Sequence, residues 1–421
     1  MSVVDNSFIT RQIDSVFDKP NFRSEWRFQP NTVYLSNMRL LDQGIASAAA
    51  NFYNPITGAF CIDSIQLYDG NVLLDQVLEA SLLKAWLNAN HTNDENVSVE
   101  NEFSKNQLGY YASGRYAYEA DGTPTPGIIK VRAVEELSPI NFRSWLNLKE
   151  LLPFLRSSLI VPTNVFKNLR LIVNWKNNEK LFDLVLGRQG TLTTIENTFL
   201  SVDEVIGEDK KMAFMKAYAG VSYMAVESDR VLVNAIADPA AGALSTVQQN
   251  RFLVNGFNNK TLSKLRFTNQ DTVASNYVNA NETVGFGNQG SRALPRMRMQ
   301  IRVNGANKLP RNGATGANER LGMLTDMYGD VNIVPGQNSY ANTTPSLSAV
   351  VGNQVANTVK QLDYTAIEVN ERVNELIVEL DRVAIGGDPI TTQPINLIMF
   401  GEVMKAVQMI KGTDNYQVAY M

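Results

Sequence analysis

The chain has one cysteine and one histidine in 421 residues. A single thiol, Cys61, excludes an intrachain disulfide. Its apolar surroundings, Ala59–Ile62, suit a buried thiol. One Cys and one His are too few for a Cys/His zinc site. Any Ser/His/Asp triad would have only His91, which sits in the polar run NANHTNDEN and reads as a solvated loop histidine. Charge is sparse too: charged residues make up 19% and the net charge is −4, so nothing draws the whole chain to nucleic acid or anionic membrane. The N-terminus carries no Arg-rich arm, which argues against direct wrapping of nucleic acid. No run of 18 apolar residues predicts a transmembrane helix, and MSVVDNSFITRQ lacks the basic and apolar regions of a signal peptide.

Familiar chemical motifs are missing as well. There is no P-loop, no H-E-x-x-H and no G-x-S-x-G. GFGNQG (Gly285, Gly287, Gly290) matches G-x-G-x-x-G in letters only. A dinucleotide site needs a strand before it and a helix N-terminus after it. Here an Asn/Thr-rich loop precedes it, and Pro295 with an alternating strand follows. The pair Glu135/Glu136 could serve a glycosidase, but such pairs are ordinary surface charge. Sequons at Asn90, Asn96, Asn259, Asn281 and Asn342 are expected by chance in an Asn/Thr-rich chain. The residues therefore nominate no catalytic, cofactor-binding or metal-binding group.

What is present is a large apolar content, 44%, enough for a sizeable core in two or three domains. Asparagine clusters with Gly, Thr and Ser, which favours many turns and an all-β fold with long loops. Near the N-terminus, Ile9, Ile13, Val16 and Phe17 share a helical face, and Asn6 or Ser7 could cap it. This predicts an amphipathic helix, docked on a neighbour or on its own domain. Thr32–Leu41 and Ala59–Leu67 are strand-like, and Tyr68-Asp69-Gly70-Asn71 is a turn signal before the returning strand Val72–Leu74. Asp75 is placed to cap a helix over Gln76–Ala89, with Leu78, Leu82, Ala85, Trp86 and Ala89 on one face. His91–Pro126 is polar and holds Tyr110, Tyr111, Tyr116 and Tyr118. Half-buried hairpin rings are the plainer reading, and a partner or sugar platform the other.

Ile128–Val134 reads as a strand. Phe142–Lys176 then runs a short helical signal, LNLKELLPFLR, into the apolar strand NLRLIVNWK. Asn147 can cap that helix with Glu150 three residues on, and Pro153 should stop or kink it. The stretch predicts an architectural joint. Leu181–Leu186 and Thr191–Val205 close the first half, and Gly207–Gly220 reads as a connector with a helical turn or two. Ser222–Ala235 and Asn250–Phe267 read as strand pairs around turn residues. Pro295–Val303 alternates Met297, Met299, Ile301 and Val303 against Arg296, Arg298, Gln300 and Arg302, then meets the turn Asn304-Gly305. The basic face could contact phosphate. Pairing with carboxylates across a sheet is the plainer reading. Asn318–Tyr328 predicts a short helix and Gly329–Val359 a long loop. Arg372–Val383 and Leu397–Ile410 close the chain as strands, with a bend near Gly401. The two halves share this plan as a pattern only.

Four segments, in order, resemble the double jelly-roll major capsid proteins of tailless membrane-containing phages, adenovirus hexon, virophages, polinton-like elements and large DNA viruses. They are Ile62–Trp86, the joint Phe142–Lys176, Met299–Pro310, and Val378–Val383 with Leu397–Tyr420. Each departs from the usual pattern somewhere: Asn147 or Leu148 replaces a proline, Leu309 an aromatic, and Lys405-Ala406-Val407 an Asn-x-Leu. The resemblance implies two adjacent eight-stranded jelly-roll β-sandwiches with short inserted helices and long loops. The corresponding division is an N-terminal arm (1–25), a first jelly roll (26–206), a connector (207–220) and a second jelly roll (221–421).

It implies a homotrimeric, pseudo-hexagonal capsomer tiling an icosahedral virion shell, with no cofactor and no enzymatic activity. Neighbouring capsomers, penton and minor capsid or cement proteins and an internal membrane would be its partners, and no sequence-specific nucleic acid. The loops at His91–Pro126, Gln270–Leu294 and Gly329–Val359 would form towers or clasps, and the N-terminal helix would lie at the inner rim. The competing expectations are a carbohydrate-binding or glycan-hydrolysing β-sandwich using Tyr110, Tyr111, Tyr116 and Trp145, and a minor capsid protein.

Overall fold

The computed structural model describes residues 8–20, 22–48, 62–80, 83, 140–175, 191–237, 240, 244–271, 298–309, 365–385, 394–411, 413 and 415–421. Several expectations lie outside these residues: Cys61, His91, the tyrosine stretch, Glu135/Glu136, GFGNQG, four of the sequons, the strands at 128–134 and 181–186, and the helix at 318–328. The long loops fall outside them too, except Gln270 and Asp271 at the start of one.

In chain order the first half contains β1 (Phe8–Asp14), β2 (Phe17–Lys19), β3 (Arg23–Arg27), β4 (Val33–Leu35), β5 (Arg39–Ala48), β6 (Ile62–Asp69), β7 (Val72–Leu78) and β8 (Ile140–Asn147). A 3-10 turn (Leu148–Glu150), α1 (Pro153–Ser157), β9 (Ile160–Pro162), β10 (Leu169–Trp175) and β11 (Thr191–Val205) complete it. Helix α2 (Glu208–Ala217) leads to β12 (Gly220–Val233), β13 (Leu244–Val254), β14 (Lys260–Asp271), β15 (Arg298–Val303) and β16 (Ala306–Asn307). The chain closes with β17 (Thr365–Val373), β18 (Leu376–Ile385), β19 (Ile395–Met409) and β20 (Tyr416–Tyr420).

The strands form four antiparallel sheets, two from each half. In the first half, β1 flanks one side of β11 and β5 the other, giving β1-β11-β5-β8, and the facing sheet runs β3-β10-β6-β7 with β2 outside β3. In the second half the orders are β12-β19-β14-β17 and β13-β18-β15-β16. Matching the two sets strand for strand leaves the chain order unchanged: β1 corresponds to β12, β7 to β16 and β11 to β19. Each half is therefore an eight-stranded jelly roll of the same topology, with β2, β4, β9 and β20 as additions.

The local sequence explains most of these elements. β10, LRLIVNW, is almost continuously apolar because it lies mid-sheet with five buried residues on its two faces. Gly70, at φ +56°, turns β6 into β7 as its turn signal predicts. Asn304 and Gly305, at φ +51° and +81°, make the hairpin turn between β15 and β16. The expected strand at Thr32–Leu41 is two strands, β4 and the start of β5, interrupted at Ser36–Met38.

The N-terminal amphipathic helix does not form. Residues 8–14 are β1, paired with β11 from Phe8↔Val205 to Asp14↔Phe199, so they belong to a sheet and not to an arm. The β-branched Ile9, Thr10 and Ile13 suit this pairing, and the long-range ladder overrides the helical spacing. The helix capped by Asp75 is corrected as well: Gln76–Leu78 end β7, and only Ala80 and Leu83 among the described residues have helical geometry. Ser222–Ala235 is no strand pair. β12 pairs with β19 without a break, and its polar Glu227 and Asp229 are held by cross-strand and turn partners, so they do not form a turn. β19 is likewise one strand through Gly401, where a Cβ would sit 2.4 Å from the Phe257 ring.

The buried apolar residues of both halves form one continuous cluster, from Trp26 and Phe154 to Phe267 and Phe400. That continuity passes through the joint.

Candidate functional site: the joint between the two halves

The expected joint is a tucked helix feeding a core strand. The Asn147 side chain accepts the Lys149 N–H at 3.1 Å and caps the 3-10 turn. Pro153 starts α1 rather than ending the first turn, at a position where its missing N–H costs nothing. Leu148, Leu151, Leu152, Pro153, Phe154 and Leu155 are all buried. The residue before α1, Leu152, has no side chain able to cap it. The missing acceptor comes from β7: Asp75 Oδ2 accepts the Phe154 N–H at 2.8 Å, and Asp75 Oδ1 accepts the Gln76 N–H at 2.9 Å. Asp75 does cap a helix, but that helix is α1 and not the one expected directly after it. A lone Asp inside VLLDQVL, with an uncapped proline-led helix elsewhere, was the available signal.

Asp75 is 0% exposed. Burial pushes its carboxyl up to about 7, while the Phe154 N–H, Lys405, the Gln76 N–H and Arg156 pull the other way.

Aromatic rings fill the space between the halves. Phe154 meets Phe166 edge-on at 5.8 Å and Tyr223 of β12 at 5.6 Å. Phe166 in turn meets Tyr218, just after α2, at 5.9 Å and Tyr416 of β20 at 5.0 Å. The hydroxyls are used across the same boundary. Tyr223 donates to the Leu74 carbonyl, and Tyr416 donates to Asp69 Oδ2 at 2.8 Å. Burial raises the Tyr218, Tyr223 and Tyr416 phenols above their ordinary range, so all three stay protonated, and Tyr223 and Tyr416 are donors. Arg230 of β12 pairs with Glu79 at the end of β7.

The second half holds β20 by a charged clasp. Glu227 accepts from Lys260 at 2.5 Å and from Tyr420 at 2.6 Å, and pairs with Lys405 at 3.1 Å. Both lysines also lie over the Tyr420 ring. Burial pushes the Glu227 carboxyl up, but these partners outweigh it and its pKa is lowered.

Beside the joint a crevice of about 300 Å³ is bordered by Asp63, Glu79, Asp229 and Arg230. Its polar groups are already engaged: Asp229 accepts the Gly256 N–H at 2.9 Å, and Arg230 is paired with Glu79. Among the described residues no group of three His, Cys, Asp or Glu is placed to hold a metal ion.

The basic strand face follows the plainer expectation. Arg298 pairs with Asp381 at 2.8 Å and Arg302 with Glu379 at 3.3 Å across the β15–β18 ladder, while Met299, Ile301 and Val303 are buried. The residues expected to form a carbohydrate platform, Tyr110, Tyr111, Tyr116 and the Trp145 side chain, lie outside what the structure describes. The described arrangement packs and locks the two halves together.

No protein-family model matches the sequence, and no curated protein matches it at a significant level. Solved structures do. PBCV-1 VP54, fitted into a reconstruction of the virophage Sputnik, is 9% identical with a TM-score of 0.57, over 98% of this chain and 97% of that one. The mavirus major capsid protein is 9% identical at 0.57, over 100% of this chain and 91% of its own. The Faustovirus major capsid protein is 9% identical at 0.53, over 96% and 90%. The likeness runs through both halves, and the fold is the double jelly roll of these viral major capsid proteins.

Proposed function

We propose that this chain is a major capsid protein whose homotrimers form pseudo-hexagonal capsomers tiling an icosahedral virion shell. One observation carries the reading: two jelly rolls of identical strand order, locked side by side by packed aromatic rings, in a fold shared end to end with viral major capsid proteins. Two repeated barrels per chain make six in a trimer, a shape suited to hexagonal tiling.

The role is structural and not enzymatic, because Asp75, Tyr223 and Tyr416, polar groups that cross the joint, are spent on contacts that hold it together. Gly207–Gly220, holding α2, is the connector between a first domain that includes β1 and β2 and a second that starts at β12. Neighbouring capsomers, penton and minor capsid or cement proteins are the partners, with an internal bilayer in a membrane-containing particle.

Mass photometry and negative-stain microscopy of the purified chain test this. Particles of three-chain mass with a hexagonal outline are expected. A monomer at every concentration and salt condition would overturn the reading.

A further inference from the structure

The outer face of the sheet β2-β3-β10 in the first barrel carries more cations than it can pair. On β3 and β10, Ser24, Trp26, Leu171 and Val173 are buried in the core, so the alternate residues face outward. These include Arg23, Arg27 and Arg170, and β2 adds Lys19 opposite Arg23. Among the described residues of these three strands, Glu25 is the one outward carboxylate. It pairs with Arg23 at 2.8 Å, while Arg27 stands at 3.4 Å and Arg170 at 3.9 Å. One carboxylate does not satisfy three guanidinium groups: the Nε–H of Arg23 and that of Arg170 have no acceptor. The corresponding sheet of the second barrel is matched instead, with Asp381 for Arg298 and Glu379 for Arg302. The excess is therefore peculiar to the first barrel, in a chain whose net charge is −4. Local excess charge of one sign is an electrostatic footprint for a partner of the other sign.

The cations stand in two pairs. Arg27 lies opposite Arg170, and Arg23 lies opposite Lys19. Four residues of β3 separate the pairs, roughly 13 Å at about 3.3 Å per residue. Glu25 sits between them, with Phe17, 46% exposed, as its neighbour on β2. An extended peptide turns every second side chain to one face. Its first and fifth side chains would meet the two cation pairs, and its third would meet Glu25 and the Phe17 ring. Carboxylates are favoured at the two ends and an apolar residue at the centre. A polymer charged at every step, such as a sulfated glycan or DNA, would press an anion onto Glu25. We infer that this face binds an extended acidic segment of a partner protein, with carboxylates four residues apart around an apolar residue. The inference goes beyond the capsid reading and does not depend on it.

The test measures fluorescence anisotropy of a labelled peptide with glutamates at its first and fifth positions and leucine at its third. The full chain is compared with K19Q/R27Q, which removes one cation from each pair, and with R251E on the matching sheet of the second barrel. Arg27 is 68% exposed and Lys19 is exposed, so thermal unfolding of K19Q/R27Q should match the wild type. The wild type and R251E should bind the peptide alike, and K19Q/R27Q roughly tenfold or more weakly. A peptide with a third glutamate in place of the leucine should bind the wild type more weakly, despite its extra charge. Equal binding by all three proteins would overturn the inference, and so would no binding at low salt. Tighter binding of the three-glutamate peptide would overturn it by reducing the face to general charge attraction. Heparin or DNA held through Lys19 and Arg27 where the peptide is not would overturn it in favour of another polyanion. None of these outcomes alters the trimer mass on which the capsid reading is judged.

Discussion

Phe154 donates its backbone N–H to Asp75 Oδ2 at 2.8 Å, and the two residues stand 79 positions apart in the chain. A β-strand thereby caps a helix that its own sequence leaves uncapped. The residue that donates this cap bond from its backbone, Phe154, sends its ring to Tyr223 of the other barrel. Ionisation of Asp75, packing of α1 and docking of the barrels are thus mechanically linked.

The linkage sets a pH dependence. The Asp75 carboxyl is raised from 3.8 to about 7, so the folded chain holds this proton over a range where the unfolded chain has lost it. Stability from this group is full below about pH 4 and falls as pH rises through about 7. The total is at most about 4 kcal/mol at 1.36 kcal/mol per pH unit. Lys405, Arg156 and Tyr223 are the charged or titratable groups coupled to it. Urea midpoints measured from pH 4 to 8 should show a decline in the wild type that Asp75→Asn lacks. Parallel profiles would remove Asp75 as the source.

Phe154 fills the centre of the joint at 0% exposure. Phe154→Ala should cost about 3–5 kcal/mol in chemical denaturation, from lost burial plus the cavity left between Phe166 and Tyr223. Phe154→Asp should yield no soluble trimer. An unchanged trimer yield would count against the central place given to this ring.

Tyr416 ties β20 to the first barrel through Asp69 at 2.8 Å. In a double-mutant cycle, Tyr416→Phe and Asp69→Asn should each destabilise the protein and together show a coupling of roughly 0.5–1.5 kcal/mol. Additive effects would mean that the bond contributes nothing to holding the halves.

Gly401 lies in the middle of β19, where an added Cβ would meet Phe257 at 2.4 Å and Leu262 at 2.8 Å. Gly401→Ala should therefore destabilise by about 1–3 kcal/mol through overpacking, read as a lowered Tm. A Gly401→Ala protein as stable as wild type would show that the Phe257 ring can move aside at no cost.

Local signals were legible where local chemistry decides the structure. Tyr68–Asn71, Asn304-Gly305 and the alternation of Met299, Ile301 and Val303 all sit where the residues place them. The joint was legible because Asn147, Pro153 and the apolar run LRLIVNW each act over a few residues. β1 was not. Its seven residues turn only Ile13 toward the core, so the period-two signal of a strand is absent and a helical spacing fits by chance. The cap on α1 was hidden for another reason: acceptor and donor come together only after β7 and α1 have both docked. β12 misled because Glu227 and Asp229 resemble turn residues until Lys260, Lys405 and the Gly256 N–H are brought to them.

Helix α2 spans Glu208–Ala217 and buries none of its residues, so it contributes to the joint mainly as a tether. A tether makes the contact between β12 and the first barrel unimolecular, with an effective concentration fixed by the length of the connector. Contact between separate chains, as proposed for the trimer, has no such guarantee and obeys mass action. Dilution is therefore selective: it should part chain from chain while each chain keeps its own barrels together, so that the free subunit stays shaped for reassembly.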